Sequence, residues 1–222
     1  PPQMVMNMRI GNMSGFCVGE PWNARAINDR IGFTAATSQD IWPEHPEKIL
    51  GTRSEWVERH PNTARALVAA LMEAQRWIDA SAENTRETAR LLARRAWLNT
   101  KEQYLSGRML GEYDNGIGRR WQDAHPMRFY ERGEVSFPWL SDGMWFLTQF
   151  RRWGLLKLAP DYLAVAQRIN RIDVWKEAAQ AVGGISAPTQ AMRSSTLIDG
   201  KVWNGADPEG YARSFAIQRK GA

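Results

Sequence analysis

The chain has 222 residues, of which 43% are hydrophobic and 24% charged, a composition that is ordinary for a globular protein and excludes extended disorder. No run of about 18 apolar residues occurs, so no stretch of the sequence is predicted to span a bilayer as a helix. The net charge of +5 would suit an anionic partner. However, Arg and Lys alternate with Glu and Asp, and no nucleic-acid motif accompanies them, so we expect no nucleic-acid binding.

The first part of the chain has an α/β pattern. The predicted elements are a helix over residues 3–10 that ends at Gly11, a buried strand over 15–18, a helix from Pro21 to Asp29 and a strand over 31–36. A strand, a helix and a strand in quick succession are typical of α/β proteins.

The single cysteine, Cys17, excludes an internal disulfide and any site built from several cysteines, and it leaves the redox compartment open. Its neighbours Phe16 and Val18 are apolar. We therefore expect a buried, unreactive thiol.

A proline-stiffened loop follows, with the sequence Trp-Pro-Glu-His-Pro-Glu-Lys over residues 42–48. Pro43 and Pro46 prevent a long helix here, although Ser38 begins like a capped turn. A short strand over 49–52 and a helix from Ser54 are predicted next. From the residues alone, Lys48 could be either an anion ligand or a solvated surface lysine.

The clearest helix is predicted to begin at Pro61 and to pack one apolar stripe that consists of Leu67, Leu71, Ala74 and Ile78. Further helices are predicted over 81–97, 139–153, 162–169 and 171–182, and a hairpin around Asp199-Gly200. The glycine-rich stretch 107–118 is predicted to be irregular. Six tryptophans in these helical stretches are predicted to pack in the core: Trp56, Trp77, Trp97, Trp145, Trp153 and Trp175.

A search for catalytic chemistry finds no complete set. The three histidines, His45, His60 and His125, each precede a proline and have no helical partner that could share a metal ion. The sequence has no Walker loop, no nucleophile elbow and no complete dinucleotide-binding glycine motif. We therefore expect no metal, no cofactor and no enzyme activity.

Segments spread along the whole chain resemble the nitrate- and bicarbonate-binding proteins of bacterial ABC importers. The matching segments are Pro1–Val5, Gly15–Asn23, Ile31–Ala35, His45–Lys48, Pro61–Leu67, Trp145–Thr148, Arg152–Gly154 and Met192–Ser195. Each segment is short, but as a set they are specific. Members of this family are longer and the match begins at their midpoint, so the resemblance implies a C-terminal fragment.

The family resemblance implies an α/β fold of the type II periplasmic-binding-protein kind, in which two lobes close over a ligand in the cleft. Residues 1–19 would then finish the second lobe. Residues 20–222 would supply the return crossing and the C-terminal part of the first lobe with a helical extension. Glu20 and Trp22 lie at this crossing and are predicted to be cleft or hinge residues.

The resemblance also implies that Lys48 is a nitrate ligand, because nitrate-binding members have a lysine in the segment equivalent to His45–Lys48, where bicarbonate-binding members have a glutamate. Nitrate is a permanent anion that needs only donors, whereas bicarbonate can donate its O–H to a carboxylate. The family's other ligands come from the half that is not present here, and they are not transferred to Trp22, Gln39 or His45.

The function implied is the periplasmic binding component of an ABC-type importer, which captures nitrate or nitrite and delivers it to a permease in the inner membrane. Two alternatives remain open: a cytosolic nitrate/nitrite sensor of the same fold that binds a regulatory protein, and a bicarbonate-binding homologue. An enzyme would require catalytic groups from outside this sequence.

Overall fold

The computed structural model describes residues 2–218, which divide into two compact units. Unit 1 takes in the described residues up to Thr37 together with Gln75–Glu131. Unit 2 takes in Ser38–Ala74 and the described residues from Arg132 onward. Each unit is therefore built from two separate segments of the chain.

The described residues are mainly helical. The helices are α1 (Pro2–Arg9), α2 (Trp22–Asn28), α3 (Ser38–Ile41), α4 (Ser54–Arg59), α5 (Pro61–Asp79), α6 (Ala82–Ala93), α7 (Gln103–Met109), α8 (Leu140–Arg152), α9 (Tyr162–Ile169), α10 (Ile172–Val182) and α11 (Pro208–Arg213), with a kinked 3₁₀ segment at Glu131–Ser136. The strands are β1 (Glu112–Asp114), β2 (Arg120–Gln122), β3 (Ser195–Thr196) and β4 (Val202–Trp203). They form two antiparallel hairpins, β1-β2 and β3-β4.

The core of unit 1 lies between α6 and α7. Ala89, Leu105 and Met109 are buried there, because the apolar faces of these two amphipathic helices meet. The helix α6 begins at Ser81, whose hydroxyl accepts a hydrogen bond of 3.1 Å from the Asn84 backbone N–H.

Unit 2 contains two buried clusters. The first, the Trp203 cluster, joins α8, α9, β4 and α11 through Leu140, Met144, Tyr162, Ala166, Trp203, Tyr211 and Phe215. The second, the Trp175 cluster, joins α5 and α10 through Met72, Phe137, Trp175, Ala178 and Ala179. Burial of these large aromatic side chains supplies much of the hydrophobic stabilisation of unit 2.

Most of the predicted helices are confirmed to within a few residues. The helix α9 has the predicted bounds, and the Asp161 carboxylate accepts from the Ala164 N–H at 3.0 Å as an N-cap. Gly183 follows α10 with a φ of +75°, a conformation that glycine adopts without strain. The predicted hairpin around Asp199-Gly200 is present as β3 and β4.

The predicted strands at 15–18, 31–36 and 49–52 are wrong, since none of these segments is a strand. A strand is stable only when a neighbouring strand satisfies its backbone N–H and C=O groups. The pairing in the described residues is confined to the two hairpins, so these apolar segments have no strand beside them.

The stretch 107–118, predicted to be irregular, contains the end of α7 and the whole of β1. Gly107 lies within α7, and a Cβ added there would lie 3.5 Å from the backbone oxygen of Glu112. That distance is ordinary van der Waals contact, so Gly107 is part of a regular helix and marks no irregular backbone. The helix predicted over 81–97 is also shorter than expected, because α6 ends at Ala93.

The buried stripe of α5 is also different from the prediction. Leu67 and Leu71 are exposed, while Ala64 and Met72 are buried and Val68 packs against the Trp175 cluster. Two neighbouring stripes of this helix are apolar at helical spacing, and the contact with α10 determines which one is buried.

The prediction that helical tryptophans pack in the core holds for Trp175, which is 3% exposed. It is wrong for three of the six, Trp77, Trp97 and Trp153, which are exposed. Cys17 is exposed as well, which corrects the expectation of a buried thiol. Within residues 2–218 we find no helix with the length and hydrophobicity needed to cross a membrane.

Candidate functional site

The loop that carries Lys48 connects α3 to α4 in unit 2, and its residues 42–53 form neither helix nor strand. Pro43 and Pro46 fix φ within the loop and restrict the residues before them, and between them Glu44 turns the backbone with a φ of +56°. Trp42, at the start of the loop, is 7% exposed, and none of the residues 43–53 is buried. The loop is thus held at its first residue and presents the others to solvent.

The Lys48 side chain is 82% exposed, and its ammonium contacts the Glu47 carboxylate. Exposed ion pairs of this kind contribute only about 0–1 kcal/mol, because solvent screens both charges. A soluble anion can therefore replace Glu47 on the ammonium at little energetic cost. The contact with Glu47 is therefore weak, and the ligand role of Lys48 stays a prediction.

His45 stiffens the same loop. Its Nδ1 lies 2.8 Å from the Pro46 carbonyl oxygen, and its ring centroid lies 6.4 Å from that of Trp42. The backbone N–H of Glu44 donates to Gln39 Oε1 at 3.1 Å. These contacts give His45 and Gln39 local structural roles in the loop.

Glu20 lies in unit 1, two residues before the start of α2, and its carboxylate contacts both Arg108 and the backbone of α2. One oxygen lies 3.1 Å from Nε of Arg108, whose side chain is only 6% exposed, and the other accepts from the Ala24 N–H at 2.9 Å. The Arg108 guanidinium also lies 4.3 Å from the centre of the Tyr113 ring. Glu20 therefore ties the start of α2 to α7, and its predicted cleft or hinge role stays a prediction.

Trp22, the first residue of α2, is half-buried in unit 1. The helix buries Ala24 and Ala26, and the Asn23 side-chain amide donates to the Val18 carbonyl at 2.6 Å. Trp22 and Glu20 thus belong to unit 1, whereas Lys48 belongs to unit 2. The unit that contains Lys48 therefore contains neither Glu20 nor Trp22.

Sequence reasoning missed two residues that organise these regions. Arg108 is buried beside Glu20, and the only signal for it was an arginine among apolar neighbours on a short helix. Trp42 packs against Trp145, with ring centroids 4.5 Å apart. No local pattern could have shown that contact, because the two residues are far apart in the sequence.

Two carboxyl groups with shifted pKa values lie where the helices of unit 2 pack together, away from the Lys48 loop. Burial raises the pKa of Asp142, although the guanidinium of Arg193 opposes that rise. The hydrogen bond from Tyr162 and the charge of Arg151 lower the pKa of Glu209. Both carboxyl groups are paired with arginines, which is the arrangement of structural ion pairs.

Lys48 is the hydrogen-bond donor of the loop that the sequence predicts to bind an anion. Between residues 2 and 218, no group of three or more His, Cys, Asp and Glu side chains is placed to hold a metal ion. The Lys48 ammonium is a compact donor with three N–H groups, which suits a small oxyanion. The loop can therefore bind such an ion by charge and hydrogen bonding without breaking a bond.

Comparison with known protein families gives one match, in which residues 1–93 fit the NMT1-like family. Among curated proteins, the nitrate/nitrite binding protein NrtA of Nostoc sp. is 39% identical over 223 residues, which covers 99% of this chain and 50% of that protein. The bicarbonate-binding protein CmpA of Synechococcus elongatus is 37% identical over 228 residues, with 98% of this chain and 50% of that protein covered. The chain thus spans about half the length of the curated relatives it matches.

Among solved structures, the crystal structure of the periplasmic nitrate-binding protein NrtA from Synechocystis superimposes with a TM-score of 0.91 at 38% sequence identity. The likeness covers 98% of this chain and 57% of that one. It confirms the predicted fold class, a helix-rich α/β fold of the periplasmic-binding-protein kind.

Proposed function

Because the chain belongs to the family of nitrate- and bicarbonate-binding proteins of the NrtA and CmpA type, we propose that it is part of the substrate-binding component of an ABC-type nitrate/nitrite importer. The observation that carries this proposal is the exposed ammonium of Lys48. The family resemblance implies that this residue corresponds to a lysine of the nitrate-binding members. The protein captures the anion in a cleft between lobes and delivers it to a membrane permease.

The choice of nitrate or nitrite over bicarbonate follows from charge. A lysine attracts a permanent anion, and the protein need supply donors only. Bicarbonate binding favours a carboxylate that accepts the ligand's O–H, and the position of Lys48 offers none. Glu47, the adjacent carboxylate, pairs with the ammonium and leaves it when the anion binds.

The second part of the proposal concerns the lobes. Residues 1–19 finish the second lobe, and residues 20–222 form the return crossing, the C-terminal part of the first lobe and its helical extension, with Glu20 and Trp22 as hinge or cleft residues. Phe146, Phe150 and Trp153 form an exposed apolar stripe on one face of α8 and its C-cap. Such a stripe is typical of a surface that another part of a protein covers. In a protein of the relatives' length, the other half would supply this cover.

The proposal includes no catalysis: the protein binds and releases its ligand unchanged, in the periplasm, beside an inner-membrane transporter. The relatives named above are binding proteins, which supports this reading. Fractionation of cells that express the protein at its natural length would separate it from the cytosolic-sensor alternative. Recovery in the periplasmic fraction supports transport, and recovery in the cytosol supports a sensor.

The decisive experiment is calorimetric titration of nitrate, nitrite and bicarbonate into the protein at its natural length. Losing a charged hydrogen bond weakens binding by roughly 10–100-fold, so Lys48→Glu is expected to lose nitrate affinity by at least that much. Lys176→Glu is the matched control, because it makes the same charge change at an exposed site on α10.

Nitrate or nitrite binding that Lys48→Glu abolishes and Lys176→Glu retains supports the proposal. Bicarbonate binding by the wild type, with neither nitrate nor nitrite bound, favours the second candidate, for which the similarity to CmpA is the supporting observation. Failure to bind any of the three anions overturns both.

A further inference from the structure

Trp42 holds the loop that carries Lys48. Between Trp42 and Val57, no side chain of the connecting segment is buried, so these two residues are its buried anchors. Trp42 is the nearer of the two to Lys48 along the chain. An exposed loop without helix or strand depends on such anchors for a defined position.

The surface that Trp42 packs against is part of the buried packing of unit 2. Its ring lies 4.5 Å from that of Trp145, at an interplanar angle of 48°. Trp145 packs against the Trp203 cluster, and its indole N–H donates to the Tyr211 hydroxyl at 3.2 Å. The loop therefore starts from one of the two buried clusters of unit 2.

The backbone next to Trp42 is also fixed. The Ile41 carbonyl oxygen accepts a hydrogen bond of 2.8 Å from the N–H of Ile198, in the turn between β3 and β4. The N–H of Trp42 itself donates to the Ser38 carbonyl at 2.8 Å. Side-chain packing and backbone hydrogen bonds thus hold the same point.

From that point, a short series of contacts runs toward Lys48. The Trp42 carbonyl accepts from the His45 N–H at 3.3 Å, and the His45 ring lies against both Trp42 and the Pro46 carbonyl. Pro46 is only two residues before Lys48 and has a fixed φ. Contacts with Trp42 and His45 thus reach along the backbone to within two residues of Lys48.

We propose that Trp42 is a positioning residue for anion binding, which acts through Lys48 by stacking on Trp145 and does not itself touch the ligand. The inference rests on the proposed function above. Binding groups must be held to within a fraction of an ångström, and a lysine on an unanchored loop would lose affinity through disorder.

One detail of the structure makes the test sharp. The indole N–H of Trp42 is buried and has no acceptor among the described residues. Trp42→Phe therefore keeps an aromatic ring against Trp145 and gives up no hydrogen bond. Trp42→Ala removes the stacked ring, and Trp42→Leu keeps apolar volume without it and is available if the alanine variant does not fold.

The test is titration of nitrate into the protein at its natural length, together with urea unfolding of each variant. We expect Trp42→Ala or Trp42→Leu to weaken nitrate binding roughly tenfold, which corresponds to about 1.4 kcal/mol, and Trp42→Phe to stay within about twofold of the wild type. Trp175→Ala is the control for general destabilisation, because Trp175 is also a buried tryptophan but belongs to the Trp175 cluster, away from Trp42 and the Lys48 loop.

A double-mutant cycle with Lys48→Met separates positioning from simple loss of stability. If Trp42 acts through Lys48, the effect of Trp42→Ala or Trp42→Leu on nitrate affinity disappears when Lys48→Met is already present. An equal loss in both backgrounds, or an equal loss in Trp175→Ala, overturns the inference while the proposed function stands. Absence of nitrate binding by the wild type overturns the proposed function and this inference with it.

Discussion

Two of the ion pairs in unit 2, each between a basic side chain and a carboxylate, lie in opposite surroundings. Arg193 donates to both carboxylate oxygens of Asp142, at 3.0 and 2.7 Å, and these side chains are 25% and 12% exposed. Lys48 contacts Glu47 on the loop, where the exposed fractions are 82% and 44%. Burial makes the first pair a permanent part of the fold, and exposure leaves the second free to exchange its carboxylate for a soluble anion.

The surroundings of the buried pair explain its permanence. The backbone N–H of Arg193 donates to the Ser141 hydroxyl at 3.0 Å, and the indole N–H of Trp203 donates to the Ser141 carbonyl at 2.8 Å. These hydrogen bonds hold Arg193 and Ser141 in place beside Asp142. Removing Arg193 would therefore leave the Asp142 carboxylate charged, partly desolvated and without its cation. Within residues 2–218, neither Lys48 nor Glu47 has another ion-pair partner, and water can replace either member of this pair.

The largest expected effect tests this contrast directly. Arg193→Ala is expected to lower the free energy of unfolding by about 3 kcal/mol, because Asp142 is left buried without a cation. Lys48→Ala, the exposed counterpart, is expected to change it by less than about 0.5 kcal/mol. Urea unfolding at pH 7 measures both. Equal effects would mean that burial does not distinguish the two pairs.

The deficit of Arg193→Ala should also depend on pH. Burial raises the pKa of Asp142, and removing Arg193 takes away the charge that opposes the rise. An acid with a raised folded pKa contributes stability at low pH that is lost as pH rises through that value. The deficit is therefore expected to shrink as the pH is lowered from 7 toward the acid range, and a deficit that grows would contradict this account.

A smaller effect is expected at Glu209, where α11 is tied to α8 and α9. Its carboxylate accepts from the Tyr162 hydroxyl and lies 3.3 Å from Nε of Arg151. Glu209→Gln is expected to lower the free energy of unfolding by about 1.5 kcal/mol at neutral pH, because the charge-assisted bonds are lost. Glu73→Gln on the exposed face of α5 is the matched control and should have little effect.

The pH dependence of Glu209 has the opposite sign from that of Asp142. The folded pKa of Glu209 is lowered, chiefly by the Tyr162 hydrogen bond, so its contribution is present above the unfolded value of about 4.3 and is lost as pH falls through the folded value. Thermal unfolding from pH 7 to pH 3 should show the wild type and Glu209→Gln converging at the acid end. Parallel curves would rule out this role of the charge.

Local contacts, independent of burial, should have effects of about 1 kcal/mol. Asp161→Ala removes the N-cap of α9 and is expected to reduce stability by about that amount. At α4 the N-cap position is Arg53, whose side chain makes no capping bond, so Arg53→Ala should be close to neutral. Thermal melts of the two variants compare a capped helix start with an uncapped one.

The smallest stability effect is expected at the exposed pair itself. Glu47→Gln should leave the free energy of unfolding within about 0.5 kcal/mol of the wild type. Nitrate affinity should stay the same or rise by about twofold, because the ammonium no longer has a competing carboxylate. A tenfold loss of affinity in the titration would show that Glu47 holds Lys48 in place rather than competing with the ligand.

The sequence predicted the helices well where local chemistry defines their ends. Pro61 starts α5 as predicted, Asp161 caps α9 and Gly183 follows α10, and each of these residues acts within one turn of the chain. The choice of the buried face failed for α5, where Leu67 and Leu71 are exposed. Two apolar stripes were available on that helix, and only its neighbours could select one.

The residues of the candidate site also differ in whether the sequence or the structure points to them. Lys48 came from the family resemblance, and the structure adds that its ammonium is exposed and paired only with a solvated carboxylate. Trp42 and Arg108 came from the structure alone, since each owes its importance to distant partners, Trp145 and Glu20. Motif searches detect residues of the first kind and miss those of the second.

The sequence by itself determined the family and most of the helical segments, because motifs, caps and turn residues act over a few positions. The anion-binding role of Lys48 stays a prediction. The tertiary structure decided which tryptophans are buried and where the Lys48 loop is anchored. It also decided that the predicted strands at 15–18, 31–36 and 49–52 do not form here. Burial and strand pairing depend on groups that are distant in sequence, and a strand without a neighbour leaves its backbone hydrogen bonds unmade.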